Sequence, residues 1–317
     1  MSPTTWGILS TAKINGLFVA GSRGAAGVEI LALASRDESR AGAQAAEFGV
    51  ERAYGSYESL LADPDVEAVY ISLPNSMHVE WSVRALQAGK HVLCEKPLSR
   101  HPDEVERAFD VAETEGRILM EAFMYRHHPQ TRRVCELVAE GAIGRLRLIR
   151  GQFSFNATDP ADVRLLPELD GGALMDVGCY CVSYARLLAG EPEDVRALQV
   201  LGGHGVDVGF TGAMRMPGGV LAHFDAGLSF APRDELEIVG DEGSLFLEDP
   251  FHCRVPVIEL RRPAGTVRIE LAPADSYGLE AANFSAAIRG EARPLLGRDD
   301  AVAQARAIDA LYRAAAR

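Results

Sequence analysis

The segment Gly7-Ile8-Leu9-Ser10-Thr11-Ala12-Lys13-Ile14 decides the fold, because it reads as an apolar strand, a tight turn of small residues and the start of a helix. A dinucleotide site needs this arrangement, since the pyrophosphate is held by backbone groups at a free helix N-terminus. The usual glycine pattern is incomplete, with Ser10 and Ala12 in the next two small positions after Gly7. The candidate cofactor contacts of this turn are Gly7, Ser10, Thr11, Ala12, Lys13 and Ile14.

Short apolar strands alternate with helices through the first third of the chain. The predicted strands are Trp6–Leu9, Val28–Ala34, Val66–Leu73, His91–Glu95 and Ile118–Ala122. Helix-like segments lie between them, several of which end at a glycine, where a left-handed cap is favoured. Because strands joined through helices pair in parallel, we expect residues 1–123 to form a doubly wound Rossmann domain that binds a dinucleotide.

The pattern changes after residue 123. Helices are predicted at 130–140 and 172–188, and strands at 145–156, 194–201, 207–216, 219–229, 234–240, 244–248, 254–261 and 265–271. Consecutive strands with tight turns indicate antiparallel pairing. Helices at 278–289 and 299–315 close the chain. We therefore expect an α/β protein whose residues 124–317 form an α+β domain for substrate binding and dimerisation, with a large, mostly antiparallel sheet.

Composition excludes several classes of function. The chain of 317 residues has 45 acidic and 32 basic side chains, and its net charge of −13 disfavours nucleic-acid binding. No apolar run is long enough to span a membrane, and the N-terminus lacks a secretory pattern, so we expect a cytoplasmic protein. Its five cysteines form no CxxC pair, and its histidines show no metal-ligand spacing, so no metal is expected.

The residues after the second strand are expected to select the cofactor. An acidic residue there would bind the 2′-hydroxyl of NAD, whereas Ser35 and Arg36 suit the 2′-phosphate of NADP. Arg40 lies one helical turn beyond Arg36 and is expected to face the same site. Asp37 leaves NAD open as the alternative, because its carboxylate could bind the ribose.

The stretch Gly89-Lys90-His91-Val92-Leu93-Cys94-Glu95-Lys96-Pro97 ends a buried strand with a carboxylate and an ammonium group, at the sheet edge where ligands bind. With this stretch, nearly the whole chain resembles the glucose-fructose oxidoreductase/inositol dehydrogenase (Gfo/Idh/MocA) family. It is most similar to the branch of dihydrodiol dehydrogenase and NADP-linked xylose dehydrogenase. The other segments that carry the resemblance are Trp6–Leu9, Leu73-Pro74-Asn75 with His78, Glu121–Pro129, Gly171–Gly178 and Tyr277–Phe284.

The resemblance implies roles for particular residues. Further cofactor contacts would come from Leu73, Pro74, Asn75, His78, Glu95, Lys96 and Arg126. Substrate contacts would come from Lys96, Arg126, Phe155, Asp176 and Tyr180. The family commonly has a histidine four residues after the aspartate that matches Asp176, and this sequence has Tyr180 there.

Asp176 and Tyr180 share one face of the predicted helix because they are four residues apart. Tyrosine is a poor base at neutral pH, but an ammonium group nearby would lower its pKa. The resemblance thus implies that Tyr180 is the acid/base, Lys96 its electrostatic partner and Asp176 an orienting carboxylate.

These observations predict an NADP-dependent oxidoreductase that moves a hydride between nicotinamide and a carbinol carbon of a sugar, polyol or cyclic diol. Two alternatives stay open: a reductase of keto-sugar nucleotides, and a regulatory protein that binds the dinucleotide without turnover. The resemblance also implies a homodimer or higher homo-oligomer formed through the C-terminal sheet, for which the strand Ala222–Leu228 and its neighbours could supply an apolar face.

Overall fold

A computed structural model describes residues 2–316, and its strands form two separate sheets. The chain divides into two units. The first comprises the chain up to Met124 together with Asp275–Val302, and the second comprises Tyr125–Ala274 together with the chain from Ala303 onward. None of the described helices has the length and apolar composition needed to cross a membrane.

The first unit contains a six-stranded parallel sheet in the order β3-β2-β1-β4-β5-β6. Its strands are β1 (Thr4–Leu9), β2 (Val28–Ala34), β3 (Arg52–Tyr54), β4 (Ala68–Ile71), β5 (His91–Glu95) and β6 (Leu119–Ala122). Its helices are α1 (Asn15–Ser22), α2 (Glu38–Phe48), α3 (Tyr57–Leu61), α4 (His78–Gln87) and α5 (Pro102–Thr114). The order confirms the doubly wound architecture, and the direction of the strand order reverses at β1 and β4.

The second unit is built on an eight-stranded sheet in the order β14-β13-β12-β11-β7-β10-β9-β8. Only the β10–β7 pair among these described strands is parallel, so the sheet is mostly antiparallel as predicted. The strands are β7 (Leu146–Asn156), β8 (Asp194–Leu201), β9 (Asp207–Arg215), β10 (Leu221–Gly227), β11 (Ser229–Gly240), β12 (Ser244–Leu247), β13 (Val257–Arg262) and β14 (Gly265–Glu270). The helices are α6 (Pro129–Ala139) and α7 (Cys179–Ala189).

The C-terminal helices are α8 (Ser276–Ile288) and α9 (Arg298–Ala315). The sequence assigned the whole of 124–317 to the second domain, but the structure groups α8 with the first unit. The reason is packing against β1 and α1. The indole of Trp6 donates to the Ser285 hydroxyl at 3.1 Å, and its ring lies 5.3 Å from that of Phe284. A Cβ at Gly278 would come within 2.3 Å of the Gly21 carbonyl oxygen, so this close approach needs glycine.

Two other details differ from the sequence predictions. The three-residue edge strand β3 was not predicted, because so short a segment gives no alternation of apolar residues. The helix predicted over 172–188 instead begins with a π-helical turn at Leu174–Gly178, which leads directly into α7.

Candidate functional site

The turn after β1 is held by a buried network of hydroxyl and amide groups. Ser10 has a φ of 128°, a conformation that residues with a side chain rarely adopt. Its Oγ accepts from the N–H of Ala12 at 3.0 Å and lies 2.8 Å from the Ser72 hydroxyl. The Ser72 hydroxyl donates to Asn15 Oδ1 at 2.6 Å, and Asn15 Nδ2 donates to the Ser10 carbonyl at 3.0 Å. These bonds hold Ser10 where a glycine would otherwise be favoured.

This turn leaves backbone donors for a ligand. Within residues 2–316, the N–H groups of Thr11, Lys13 and Ile14 donate to no protein acceptor. They precede α1, so the positive end of the helix dipole adds to their attraction for an anion. This donor set fits the phosphates of a dinucleotide. Gly7 lies earlier, inside β1, where a Cβ would come within 2.6 Å of the Leu60 side chain, so this glycine serves packing.

Asp37, the residue that left NAD open, forms the N-terminal cap of α2. Its carboxylate accepts from the hydroxyl and the N–H of Ser39 at 2.6 and 2.9 Å, and from the N–H of Arg40 at 3.2 Å. These hydrogen bonds, that of the Ser39 hydroxyl first, lower the pKa of Asp37. The adjoining Ser35 hydroxyl lies 3.3 Å from the Asp37 N–H, as its acceptor. All three hydrogen bonds go to Oδ1, so this oxygen of the carboxylate is the one that caps α2.

Arg36 and Arg40 are exposed and share a neighbour, the buried Tyr57 at the start of α3. Burial raises the pKa of the Tyr57 phenol, and both guanidinium groups act on it in the opposite direction. Two cationic side chains therefore lie around one phenol at the end of β2, where a 2′-phosphate would bind.

His78 connects the loops that follow β4 and β5. Its Nε2 lies 2.8 Å from the Leu73 carbonyl oxygen, and its Nδ1 lies 2.9 Å from the Pro97 carbonyl oxygen. The side chain is 1% exposed. Both ring nitrogens therefore lie against backbone carbonyls, which gives His78 a positioning role between the two loops, and its contact with the cofactor stays a prediction. Pro74 and Asn75, in the same loop, are half-buried.

Glu95 and Lys96 lie half-buried at the carboxyl end of β5. The hydroxyl of the fully buried Tyr70 donates to Glu95 Oε1 at 2.5 Å. Burial and the Glu95 charge raise the pKa of Tyr70 well above its usual range, so this phenol stays protonated as a donor. The strand-end pair thus lies at the sheet edge predicted from the sequence, with the carboxylate oriented from β4.

In the second unit, Tyr180 lies in the first turn of α7 and is 7% exposed. Three aromatic rings surround it, with centroid distances of 5.8 Å to Tyr125, 5.4 Å to Phe153 and 5.7 Å to Phe251. The Tyr180 ring is therefore packed against aromatic side chains, which restrict its orientation.

Asp176 lies in the π-helical turn before α7, and Arg164 holds its carboxylate. Arg164 Nε donates to Asp176 Oδ2 at 2.8 Å, and the pKa of Arg164 is raised, chiefly by the Asp176 charge. The same guanidinium lies over the Phe155 ring at 5.6 Å. Phe155 therefore adjoins the Asp176 pair, whereas Phe153, two residues earlier, is the ring that contacts Tyr180.

The π-helical turn itself is capped from the sheet. Asp207, at the start of β9, accepts from the N–H of Leu174 at 2.7 Å and from the Tyr312 hydroxyl at 3.0 Å. Burial raises the pKa of Asp207 to about 6, despite these hydrogen bonds. π-helical turns are frequent at functional sites, and this one carries Asp176.

Arg126 lies in a short 3₁₀ turn, Met124–His127, at the start of the second unit. Its Nη1 lies 3.4 Å from the Ser183 hydroxyl, which also accepts from the Tyr125 hydroxyl at 2.8 Å. Ser183 is three residues after Tyr180 on α7, so Arg126 lies beside the helix that carries the candidate acid/base.

Sequence reasoning missed several residues that build these sites. Asn15 and Ser72 hold the turn after β1 in place, and their only signal in the sequence is that small polar residues flank strand ends. Arg164 lies in an irregular segment without periodicity, so nothing in the sequence pointed to it. Phe153 was overlooked in favour of Phe155, because strand alternation does not show which ring faces α7.

Asp234, Asp249 and His252 place metal-type ligand atoms within 4.8 Å of one another. Asp249 is already bound by Arg254, whose Nη2 lies 3.0 Å from Oδ1, and by the N–H groups of Arg254 and Val255. This cluster is therefore ion-paired within the protein, and the expectation of no metal stays a prediction.

Comparisons with known proteins follow the same division of the chain. A family described as an oxidoreductase family with an NAD-binding Rossmann fold matches residues 8–123, and the GFO/IDH/MocA C-terminal domain matches residues 131–246. A D-xylose 1-dehydrogenase (NADP⁺) of Haloferax volcanii is 40% identical over 98% of this chain and 97% of its own. A trans-1,2-dihydrobenzene-1,2-diol dehydrogenase of Oryctolagus cuniculus is 36% identical over 73% and 70%.

A solved structure is also similar to this chain over nearly its whole length. The 3-ketoreductase of Actinomadura kijaniata, in complex with NADP and TDP-benzene, superposes with a TM-score of 0.92 at 33% identity. The match covers 99% of this chain and 98% of that one.

Proposed function

The chain belongs to the Gfo/Idh/MocA family of oxidoreductases, and from that premise we propose that it transfers a hydride between NADP and a carbinol carbon of a sugar, polyol or cyclic diol. The relatives support the substrate class, since those compared act on sugars or a cyclic diol, as a dehydrogenase or a ketoreductase. The observation that carries the proposal is the setting of Tyr180, a buried phenol among aromatic rings, four residues after an ion-paired aspartate.

The cofactor would be held by groups already described. The N–H groups of Thr11, Lys13 and Ile14 would bind the pyrophosphate, and Arg36 with Arg40 would bind the 2′-phosphate. NADP, when bound, supplies the hydride acceptor or donor. NAD remains the alternative, since the hydrogen bonds that cap α2 use only Oδ1 of Asp37.

The protein's own contribution is proton transfer. In oxidation, the Tyr180 oxygen takes the substrate hydroxyl proton while hydride leaves the same carbon, and in reduction it returns that proton. We assign Lys96 as the ammonium group that favours the phenolate, as the family resemblance implies. Arg164 fixes Asp176, so that the carboxylate can orient the substrate hydroxyl.

The test is a change in absorbance of NADP(H) with a panel of pentoses, hexoses, inositols, polyols and trans-1,2-dihydrobenzene-1,2-diol. Oxidation should be followed with NADP⁺ and reduction with NADPH. A chain that binds NADPH but turns over no member of the panel would contradict the proposal and favour the regulatory alternative.

A reductase of keto-sugar nucleotides is the second candidate. The ketoreductase structure and the 38% identical dTDP-3,4-didehydro-2,6-dideoxy-α-D-glucose 3-reductase of Streptomyces violaceoruber favour it. The net charge of −13 opposes a diphosphate substrate. Binding of dTDP to the NADP-loaded protein, measured by calorimetry, separates the candidates, because an enzyme that acts on free sugars needs no second nucleotide site beside that for NADP.

We also propose a homodimer formed through the outer face of the second sheet. Its exposed apolar side chains are Leu198 and Val200 on β8 and Leu221 on β10, which are 73%, 65% and 55% exposed. Within Ala222–Leu228 itself, Ala222, Phe224 and Ala226 are buried, so the exposed apolar side chains of this face come from its neighbours. A cytoplasmic location accords with the five cysteines, which form no disulfide.

A further inference from the structure

His252 lies beside the ring that lines Tyr180. The Phe153 centroid is 5.4 Å from that of Tyr180 and 5.3 Å from that of His252, and both rings meet Phe153 nearly edge-on. Phe251 stacks on Phe153 at 5.0 Å and contacts Tyr180 at 5.7 Å. One aromatic ring therefore connects the candidate acid/base with an imidazole to which the sequence analysis gave no role.

The two ring nitrogens of His252 have different surroundings. Nδ1 lies 2.5 Å from Asp234 Oδ2 and 3.6 Å from Asp249 Oδ1. Nε2 makes no hydrogen bond within the described part of the chain, and the side chain is 35% exposed. Since Nδ1 is fixed by Asp234, the Nε2–H group is directed away from that carboxylate and is open to a ligand.

The charges of the cluster favour the protonated ring. Burial lowers the pKa of His252, but the hydrogen bonds to Asp234 and Asp249 outweigh it and raise the pKa to about 9. Burial raises the pKa of Asp234, and its hydrogen bond to His252 acts in the opposite direction. Arg254 pairs with Asp249, so two carboxylates face two cations.

That balance decides what the cluster can bind. A cation would have to displace Arg254 and compete with the imidazolium, so metal binding is disfavoured. The neutral total gives no strong attraction for a phosphate or carboxylate. What remains is one oriented, charge-assisted donor beside a cluster of aromatic rings, and its natural acceptor is a hydroxyl oxygen.

We propose that His252 is a specificity-determining residue, whose Nε2–H donates a hydrogen bond to a substrate hydroxyl that is not on the reacting carbon. The proposal rests on the proposed function, which places the reacting hydroxyl at Tyr180. Because His252 is separated from Tyr180 by its shared neighbour Phe153, the recognised hydroxyl belongs to a polyhydroxylated substrate such as an aldose. A diol with only two adjacent hydroxyls gains nothing from it.

The experiment compares His252→Asn with His252→Gln. The asparagine amide lies near the position of Nδ1 and keeps a partner for Asp234, but it loses the outer donor. The longer glutamine places an amide near the position of Nε2. With NADP⁺ saturating, we expect His252→Asn to raise the KM for D-xylose about 10- to 100-fold, with kcat changed much less. His252→Gln should recover most of this loss.

Two controls separate recognition from structure. The KM for trans-1,2-dihydrobenzene-1,2-diol should stay the same in both variants. His204→Asn, in the exposed turn between β8 and β9, should change neither the KM nor the kcat for D-xylose. Melting temperatures of all variants report folding independently of binding.

An unchanged KM for D-xylose and every other oxidised sugar in His252→Asn would overturn the inference while the proposed function stands. Equal increases in KM for the sugar and the cyclic diol would also overturn it, because they indicate general disturbance of the pocket. If the wild-type chain turns over no member of the panel, the proposed function fails first, and the inference fails with it.

Discussion

Tyr180 carries one polar atom on a ring packed among aromatic side chains, so the hydroxyl can be tested without disturbing the ring packing. Tyr180→Phe should lower turnover about 100- to 10,000-fold while leaving NADPH affinity unchanged. Steady-state kinetics and NADPH fluorescence titration measure the two effects. Tyr184→Phe is the matched control, because its ring is fully buried one turn later on α7. Near wild-type turnover in Tyr180→Phe would shift the proton-transfer role to another group.

The guanidinium of Arg36 gives the residue-scale prediction for cofactor choice. Arg36→Ala should weaken NADPH binding about 10- to 100-fold and leave NADH binding nearly unchanged, since a charge-assisted bond to the 2′-phosphate is lost. Fluorescence titration with both cofactors checks this. Arg84→Ala is the control, since it removes an arginine that pairs with Glu58 and Glu80 at the surface and lies over the Trp81 ring, away from Arg36 in the sequence. Equal losses of affinity for NADPH and NADH would show that Arg36 does not bind the 2′-phosphate.

At the scale of the element, the π-helical turn depends on its cap at Asp207. The folded pKa of about 6 lies above the value for an unfolded chain, so the contribution of this carboxyl to stability falls as pH rises from about 4 through 6. Asp207→Asn removes the titration and can still accept from the Leu174 N–H. The free energy of unfolding of the variant minus that of the wild type should therefore increase by roughly 2 kcal/mol from pH 4 to pH 7.5.

Urea unfolding at the two pH values measures this difference. Asp207→Ala serves as the second variant and should lose about 1–2 kcal/mol at neutral pH, because the Leu174 N–H is left without its acceptor. If the free energy of unfolding of Asp207→Asn relative to wild type is the same at both pH values, Asp207 does not titrate in this range.

The elements also show what a sequence can and cannot predict here. Alternating strands and helices predicted the Rossmann sheet, because buried parallel strands are continuous apolar runs such as Val28–Ala34. The position of Lys96 followed from the same rule, since β5 ends at the ligand edge. The roles of His78 and Arg164 were not predictable, because each depends on contacts between segments distant in sequence. The π-helical turn was missed because its apolar pattern resembles that of an ordinary helix.

At the scale of the whole molecule, the outer face of the second sheet predicts the oligomeric state. Light scattering at micromolar concentration should give the mass of a dimer or a higher oligomer. Leu198→Glu combined with Val200→Glu should shift the mass toward the 34.1 kDa monomer, since charge on the exposed face of β8 cannot be buried without a partner.

Thr211→Glu on the neighbouring strand β9 tests how far the interface extends. Circular dichroism should confirm that each variant keeps its secondary structure. A wild-type monomer, or a double variant with the wild-type mass, would contradict assembly through this face.

Because Asp275–Val302 belongs to the first unit but follows Tyr125–Ala274 in the sequence, the first unit is completed late during synthesis. A ribosome releases the six strands of the first unit, then all of Tyr125–Ala274, before α8 appears. At 5–20 residues per second, this delay is roughly 8–30 s. Throughout it, the nascent first unit lacks the helix that packs on Trp6, and apolar surface is left open to other chains. Chaperone dependence during synthesis, rather than after release, is the expected result in the cell.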